Sequence, residues 1–202
     1  MLNAFFIIVG MEGVLIQWDH QLFQFINSGL SNSVFDLILP LLREKLIWIP
    51  LYIFIFAFLL HNFGRKGYWL VLMLIVTVGI SDLMSSKVIK PLVERARPCH
   101  LDQNDLPVQL RARCGRGYSF TSSHATNHFS IAFFLFLVYK GRRKWIRKGL
   151  ILWAASISFS QVYVGVHFPI DIFCGAILGM MIAFISYGFY SRHFPNPFDQ
   201  IV

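Results

Sequence analysis

Apolar residues along this chain come in long, nearly unbroken stretches, not in the alternation of a half-buried strand or the one-sided stripe of a surface helix. Five stretches stand out: Leu46 to Leu60, Tyr68 to Met84, Phe129 to Tyr139, Gly149 to Val166 and Ile170 to Tyr190. A helix needs about 20 apolar residues to cross a bilayer, and the hydrocarbon offers backbone groups no other partner, so each stretch reads as a membrane helix. The third is short unless it extends back to about Phe120, which puts the polar run Tyr118 to Ala125 in its first turns. Before Leu46 the pattern weakens. Met1 to Gln17 is apolar but interrupted by Glu12, and Trp18 to Leu42 reads as amphipathic pieces broken at Asp19, Asn27 and Asp36. The expectation is an all-α polytopic membrane bundle in a single domain, 1–202, with a core of five helices over 46–191. Residues 1–45 are read as interfacial amphipathic helices, with a sixth span over Leu2 to Gln17 as the alternative. A basic leader and a small-residue cleavage site are both missing from the first residues, which argues against a removable signal peptide.

Composition agrees: 56% hydrophobic residues and a mean hydropathy of +0.59 exclude a soluble domain of 202 residues. The net charge of +8 is informative through its placement. Arg65 and Lys66 separate the first two stretches, the run Lys140, Arg142, Arg143, Lys144, Arg147, Lys148 separates the third and fourth, and Arg192 follows the fifth. The positive-inside rule makes these ends cytoplasmic. Lys87 to Gly117 and the short connection at His167 then face outward, as does the N-terminal segment, which has no Lys or Arg before Arg43. The expected home is a bacterial-type inner membrane with the site on the periplasmic or exterior side. The basic run reads as a topology signal touching anionic lipid and not as a nucleic-acid site. The outward connection is itself basic, against the rule unless its cations have another task. Cys99 and Cys114 share that connection; a bridge would close a loop of about 15 residues and contribute on the order of 3 kcal/mol, and two free thiols are the alternative. Cys174 reads as a packing residue.

Three polar clusters carry the candidate chemistry. In Tyr118-Ser119-Phe120-Thr121-Ser122-Ser123-His124, Thr121 or Ser122 can cap a helix whose first-turn N–H groups face an anion, with His124 beside it as proton donor. Lys87, Lys90, Arg95 and Arg97 close the second stretch; Lys90 and Arg97 lie seven residues apart, two helical turns, which would put both on one face to hold a phosphate dianion. In His167-Phe168-Pro169-Ile170-Asp171, Pro169 suits a first turn, and the four-residue spacing lets Asp171 fix the imidazole tautomer and free the other nitrogen as base or nucleophile. Alternate connections bring all three clusters to the outward face. A zinc site using His124, His128, His167 and Asp171 is the rival, weakened because no Glu stands between the paired histidines; no metal and no cofactor are expected. Gly175 and Gly179 read as a close-packing pair.

Lys90 with Arg97-Pro98, then Ser122-Ser123-His124, then Ser160 through His167 to Asp171 resembles the signature of the type 2 phosphatidic acid phosphatases. That family includes membrane lipid phosphatases, glucose-6-phosphatase and the vanadium haloperoxidases. The resemblance implies a metal-independent lipid phosphatase: His167 attacks phosphorus, Asp171 orients it, His124 protonates the leaving group, and Lys90, Arg97, Ser122, Ser123 and the residue at 161 hold the phosphoryl oxygens. Phosphatidylglycerophosphate, phosphatidic acid, undecaprenyl pyrophosphate and lipid A are the candidate substrates. Two departures are Thr121 and Ser123 for the family's Pro and Gly, of which Ser for Gly keeps the backbone donors and is mild. The third is Gln161 where the family carries Arg. A hydrogen bond to a charged group is worth about 1.5 to 3 kcal/mol, so turnover should suffer unless Arg95 or another cation substitutes. A non-catalytic lipid-phosphate binding or transport protein is the rival that this departure motivates.

Overall fold

The computed structural model describes residues 2–139 and 143–200, with side chains placed over 13–139 and 143–199, and those residues form helices and loops only. Helix α1 (Leu2–Gln24) continues through one π turn, Phe25–Gly29, and bends by 115° into α2 (Ser33–Leu42). Helix α1 does not stop near Gln17 but runs on past Asp19. Asn32 caps α2, its Oδ1 accepting from the N–H groups of Val34 and Phe35.

Helix α3 (Lys45–Leu83) holds the first two predicted spans. Its 39 residues would reach about 58 Å if straight, nearly twice the hydrocarbon thickness. It is instead broken at Gly64, where φ is 50° and ψ −123°, a conformation that only glycine adopts readily. Tyr52 and Phe56 then face Val78 and Leu74 across one cleft, so the two arms run antiparallel. A π turn, Met84–Ile89, leads into the short α4 (Lys90–Val93).

Helices α5 (Ser123–Val138), α6 (Lys144–Tyr163) and α7 (Pro169–His193) complete the bundle. The stretches Lys45–Val93 and Pro169–His193 are long and apolar enough to cross a membrane, and the bent α1–α2 pair adds a third if counted as one. Helix α5 is shorter, at 16 residues, and packs against α3, α6 and α7. Shielded in this way it can carry Thr126, His128 and Ser130 buried among apolar neighbours. The α5–α7 contact is backbone-close: a Cβ at Gly175 would come within 2.8 Å of the Ser122 carbonyl, and one at Gly179 within 2.2 Å of the Thr126 carbonyl.

Two apolar clusters mark the ends of the bundle. Leu59, Leu70, Phe134, Val138 and Tyr190 pack at one end. Phe23, Ile26, Leu39, Leu106, Val162 and Val166 pack at the other, joining the N-terminal helices to the 94–122 connection. Asn27 and Asp36, read from sequence as breaks, are joints. The Asn27 amide donates to the carbonyls of Gln109 and Tyr163 at 2.9 and 2.8 Å and accepts from the Gln109 N–H at 2.8 Å. Arg111 donates to Asp36 and to the Asn27 carbonyl and lies 4.4 Å over the Tyr163 ring. Cys99 and Cys114 are joined in a disulfide, so although His100 lies within 4.8 Å of both sulfurs no thiolate is left there to bind a metal.

Candidate active site

The end of α6 and the start of α7 build the centre. Gly165, at φ +87°, turns the chain, and the N–H groups of Val166 and His167 both donate to the Gln161 carbonyl at 3.2 Å. Helix α7 begins at Pro169, whose missing N–H costs nothing there, and Asp171 Oδ2 accepts from the Phe168 N–H at 2.9 Å. The same carboxylate oxygen lies 3.4 Å from His167 Nδ1. Ser119 Oγ donates to Asp171 Oδ2 and stands 3.3 Å from Nδ1. With a carboxylate and a hydroxyl oxygen as its neighbours, Nδ1 is the nitrogen that carries the proton. Nε2 therefore keeps its lone pair, and an Arg97 guanidinium nitrogen lies 3.2 Å from it. Burial, with only 3% of the residue exposed, pushes the His167 imidazole down from 6.5 to about 4 against the opposing pull of Asp171. A neutral imidazole with its free nitrogen beside a guanidinium is arranged as a nucleophile for an anion's central atom.

The cations reach this point differently from the sequence expectation. Lys90 and Arg97 do not share a helix face, because the helix ends at Val93, Glu94 turns left-handed at φ 52°, and Arg97 is extended ahead of Pro98. The loop nevertheless brings them together. Arg97 donates to the carbonyls of Gly117 and Val166 at 3.1 and 3.0 Å, and Lys90 Nζ donates to those of Tyr118 and Ser119, both at 2.9 Å. Three cations of the connection, Lys90, Arg97 and Arg111, thus hold the connection itself around the site. Lys87 is exposed.

Ser122, not Thr121, is the N-cap of α5: its Oγ accepts from the Ala125 N–H at 3.4 Å and its own N–H donates to the Asp171 carbonyl at 3.1 Å. Ser123 Oγ pairs with Ser85 Oγ at 2.9 Å. The first turn of α5 leaves N–H groups with no intrahelical acceptor, which is what an anion needs. His124 makes no side-chain hydrogen bond among the described residues and lies within electrostatic reach of His167 and Arg97. His128 is occupied elsewhere, with Nδ1 donating to the His124 carbonyl at 2.8 Å and Nε2 lying 3.2 Å from the Tyr52 hydroxyl.

Gln161 is 1% exposed, and neither its Nε2 nor its Oε1 has a partner among the described residues. Arg95 does not cover for it. Its two terminal nitrogens go to Asp171 Oδ1 at 2.7 Å and Asp19 Oδ2 at 2.5 Å, and its guanidinium lies 4.1 Å over the Phe168 ring. Asp19 was missed as a site residue. It also accepts from the Ile170 N–H at 2.9 Å, so α1 reaches the start of α7 and braces Asp171 through Arg95. The signal was present as a carboxylate inside an apolar helix, which asks for a buried partner.

Known proteins of similar sequence and fold supply the remaining context. The chain is 35% identical over 164 residues to a lipid A 4'-phosphatase of Bacteroides thetaiotaomicron, covering 80% of this chain and 72% of that one. It is 28% identical to an undecaprenyl-diphosphatase of Sulfolobus acidocaldarius, covering 85% and 78%. The crystal structure of Aquifex aeolicus LpxE superposes with a TM-score of 0.66 at 28% identity, over 83% of this chain and 93% of that one. In fold alone, a Bacillus subtilis phosphatidylglycerolphosphate phosphatase of PAP2 type superposes with a TM-score of 0.72 at 22% identity, over 95% of both chains. Residues 66–195, which hold the three polar clusters around His167 but not Asp19, match the PAP2 superfamily, and the chain belongs to that family.

Proposed function

We propose that this protein is a membrane lipid phosphatase that cleaves a phosphomonoester or diphosphate through a phosphohistidine on His167. The arrangement that carries the reading is His167 itself, with Nδ1–H tied to Asp171 and Nε2 unprotonated and accepting from Arg97. Nε2 attacks phosphorus and forms the N–P bond as the P–O bond to the leaving group breaks. His124 gives its proton to the departing oxygen, then takes one from the water that attacks the phosphohistidine and releases phosphate. Arg97, Lys90 and the first turn of α5 hold the phosphoryl oxygens as charge builds on them.

A lipid is favoured by an apolar cleft of about 350 Å³ between the arms of α3 and α5. It is lined by Tyr52, Phe56, Leu74, Val78 and Ile131 and ends at Asn127 and His128, one turn from His124. An acyl or prenyl chain laid there would place its headgroup beside the acid. The cations Arg65, Lys66, Arg143, Lys144, Arg147 and Arg192 lie at the end of the bundle away from His167, which favours a site on the outer face of a bacterial-type inner membrane. The relatives make lipid A phosphates and undecaprenyl diphosphate the first substrates to try.

The test is phosphate release by detergent-solubilised protein from a panel of lipid phosphates, with and without EDTA. Release unaffected by EDTA, blocked by vanadate and absent in His167→Ala is expected. Equal release by His167→Ala would overturn the mechanism. Gln161 in place of the family arginine favours a second reading, a lipid-phosphate binding protein, and binding of the same lipids with no release from any of them would establish it.

A further inference from the structure

We infer that Arg43, at the end of α2, is the second guanidinium of the phosphate site and takes the role that the resembled signature gives to an arginine at position 161. The inference rests on the phosphatase reading and extends it to a residue outside the matched 66–195 segment.

Position 161 presents an uncharged amide that is buried from water and has no partner among the described residues. A buried, unsatisfied polar group costs about 1 to 3 kcal/mol, and one in a native pocket needs an explanation such as an absent ligand. Arg43 shows the complementary deficit. Its Nε is sealed from water and has no partner among the described residues, the acid within its electrostatic reach is the exposed neighbour Glu44, and no carboxylate among the described residues forms an ion pair with it. It nevertheless lies within electrostatic reach of both Arg97 and His124. Guanidinium groups within electrostatic reach of one another repel, Asp171 offsets part of this at Arg97, and a dianion bridging the two cations removes the rest.

The local structure explains why Arg43 stays there. It follows the last turn of α2, where unpaired carbonyls favour a cation, and its own N–H donates to the Leu39 carbonyl at 3.4 Å. The next turn is fixed by Trp48, whose Nε1 donates to the Leu42 carbonyl at 2.7 Å. Trp48 packs edge-on against Trp153 at 5.6 Å, and Trp153 against His128 at 5.1 Å, one turn from His124. The chain from Leu42 to His124 is thus continuous packing. A guanidinium displaced in sequence by more than a hundred residues can meet the same oxygens that one at position 161 would meet.

The experiment pairs lipid-phosphate turnover with calorimetric titration of orthovanadate into the full chain. Arg43→Ala should lower kcat/KM roughly ten- to a hundredfold and weaken vanadate binding by a similar factor, the loss expected for one charged hydrogen bond. Arg43→Lys should recover part of both. Arg43→Ala with Gln161→Arg should recover most of both, whereas Gln161→Arg alone should leave turnover flat or lower because the charge is already supplied. Wild-type vanadate affinity in Arg43→Ala overturns the inference. So does a double variant that keeps its helical circular dichroism but regains neither binding nor turnover. If the wild type releases phosphate from no lipid, the phosphatase reading fails by itself, and the vanadate titration still decides the role of Arg43.

Discussion

At the scale of single residues the site is a chain of proton and charge contacts running Asp19, Arg95, Asp171, His167, Arg97. Its central link makes a direct prediction. Because burial lowers the folded-state value of His167 to about 4 from 6.5, the folded protein resists protonating it, and the unfolded chain takes up that proton first as pH falls. His167 should therefore favour folding at neutral pH, and this contribution should be lost between about 6.5 and about 4. Nitrogen-15 imidazole spectra should show the neutral Nδ1–H tautomer persisting down to about pH 5; a midpoint near 6.5 would contradict the buried geometry. The link between His167 and Asp171 could be read from sequence, because a four-residue spacing around a proline at a helix start has few other uses. The links of Asp19 could not, because its partners lie far along the chain and no local spacing points from Asp19 to Arg95 or Ile170, 76 and 151 residues away.

At the scale of helices, the all-α membrane architecture and the break between the first two stretches were legible because hydrocarbon forces continuous apolar runs, while the residue that makes that break, Gly64, was not, since one glycine among bulky residues does not announce a positive φ. The expected helix face for Lys90 and Arg97 failed for a similar reason: the spacing suits a helix, but Pro98 biases the residue before it away from one. The pair Gly175 and Gly179 was read correctly as close packing, and the structure adds what the packing does. It presses the start of α5 onto the start of α7, so that Ser122 and Asp171 share a backbone hydrogen bond. Gly179→Leu should force the two helices apart, since even a Cβ would lie 2.2 Å from the Thr126 carbonyl. Phosphate release should fall at least tenfold, with thermal unfolding of the detergent-solubilised protein shifted downward. Gly188→Leu, where an added Cβ meets nothing within 4 Å, should leave both unchanged.

At the scale of the whole molecule, the polar machinery lies at one end of the bundle and most of the loose cations at the other. If the outer-face placement is right, a fluorescent protein that matures only in the cytoplasm should fluoresce when fused after Val202; a dark fusion at normal expression would invert the topology. The bent N-terminal pair was the least legible part of the chain, because its amphipathic pieces are stabilised by joints made far away, at Asn27 with Tyr163 and Asp36 with Arg111. Those joints also bear on the order in which the protein comes into being. The first forty-odd residues leave the ribosome early but find their partners only when Arg95, Arg111, Tyr163 and Ile170 have followed. On the proposed mechanism, a stalled or truncated chain ending before α7 lacks Asp171, so a half-made protein in the membrane should be inert toward the lipids around it, and activity should arrive only with the last helix.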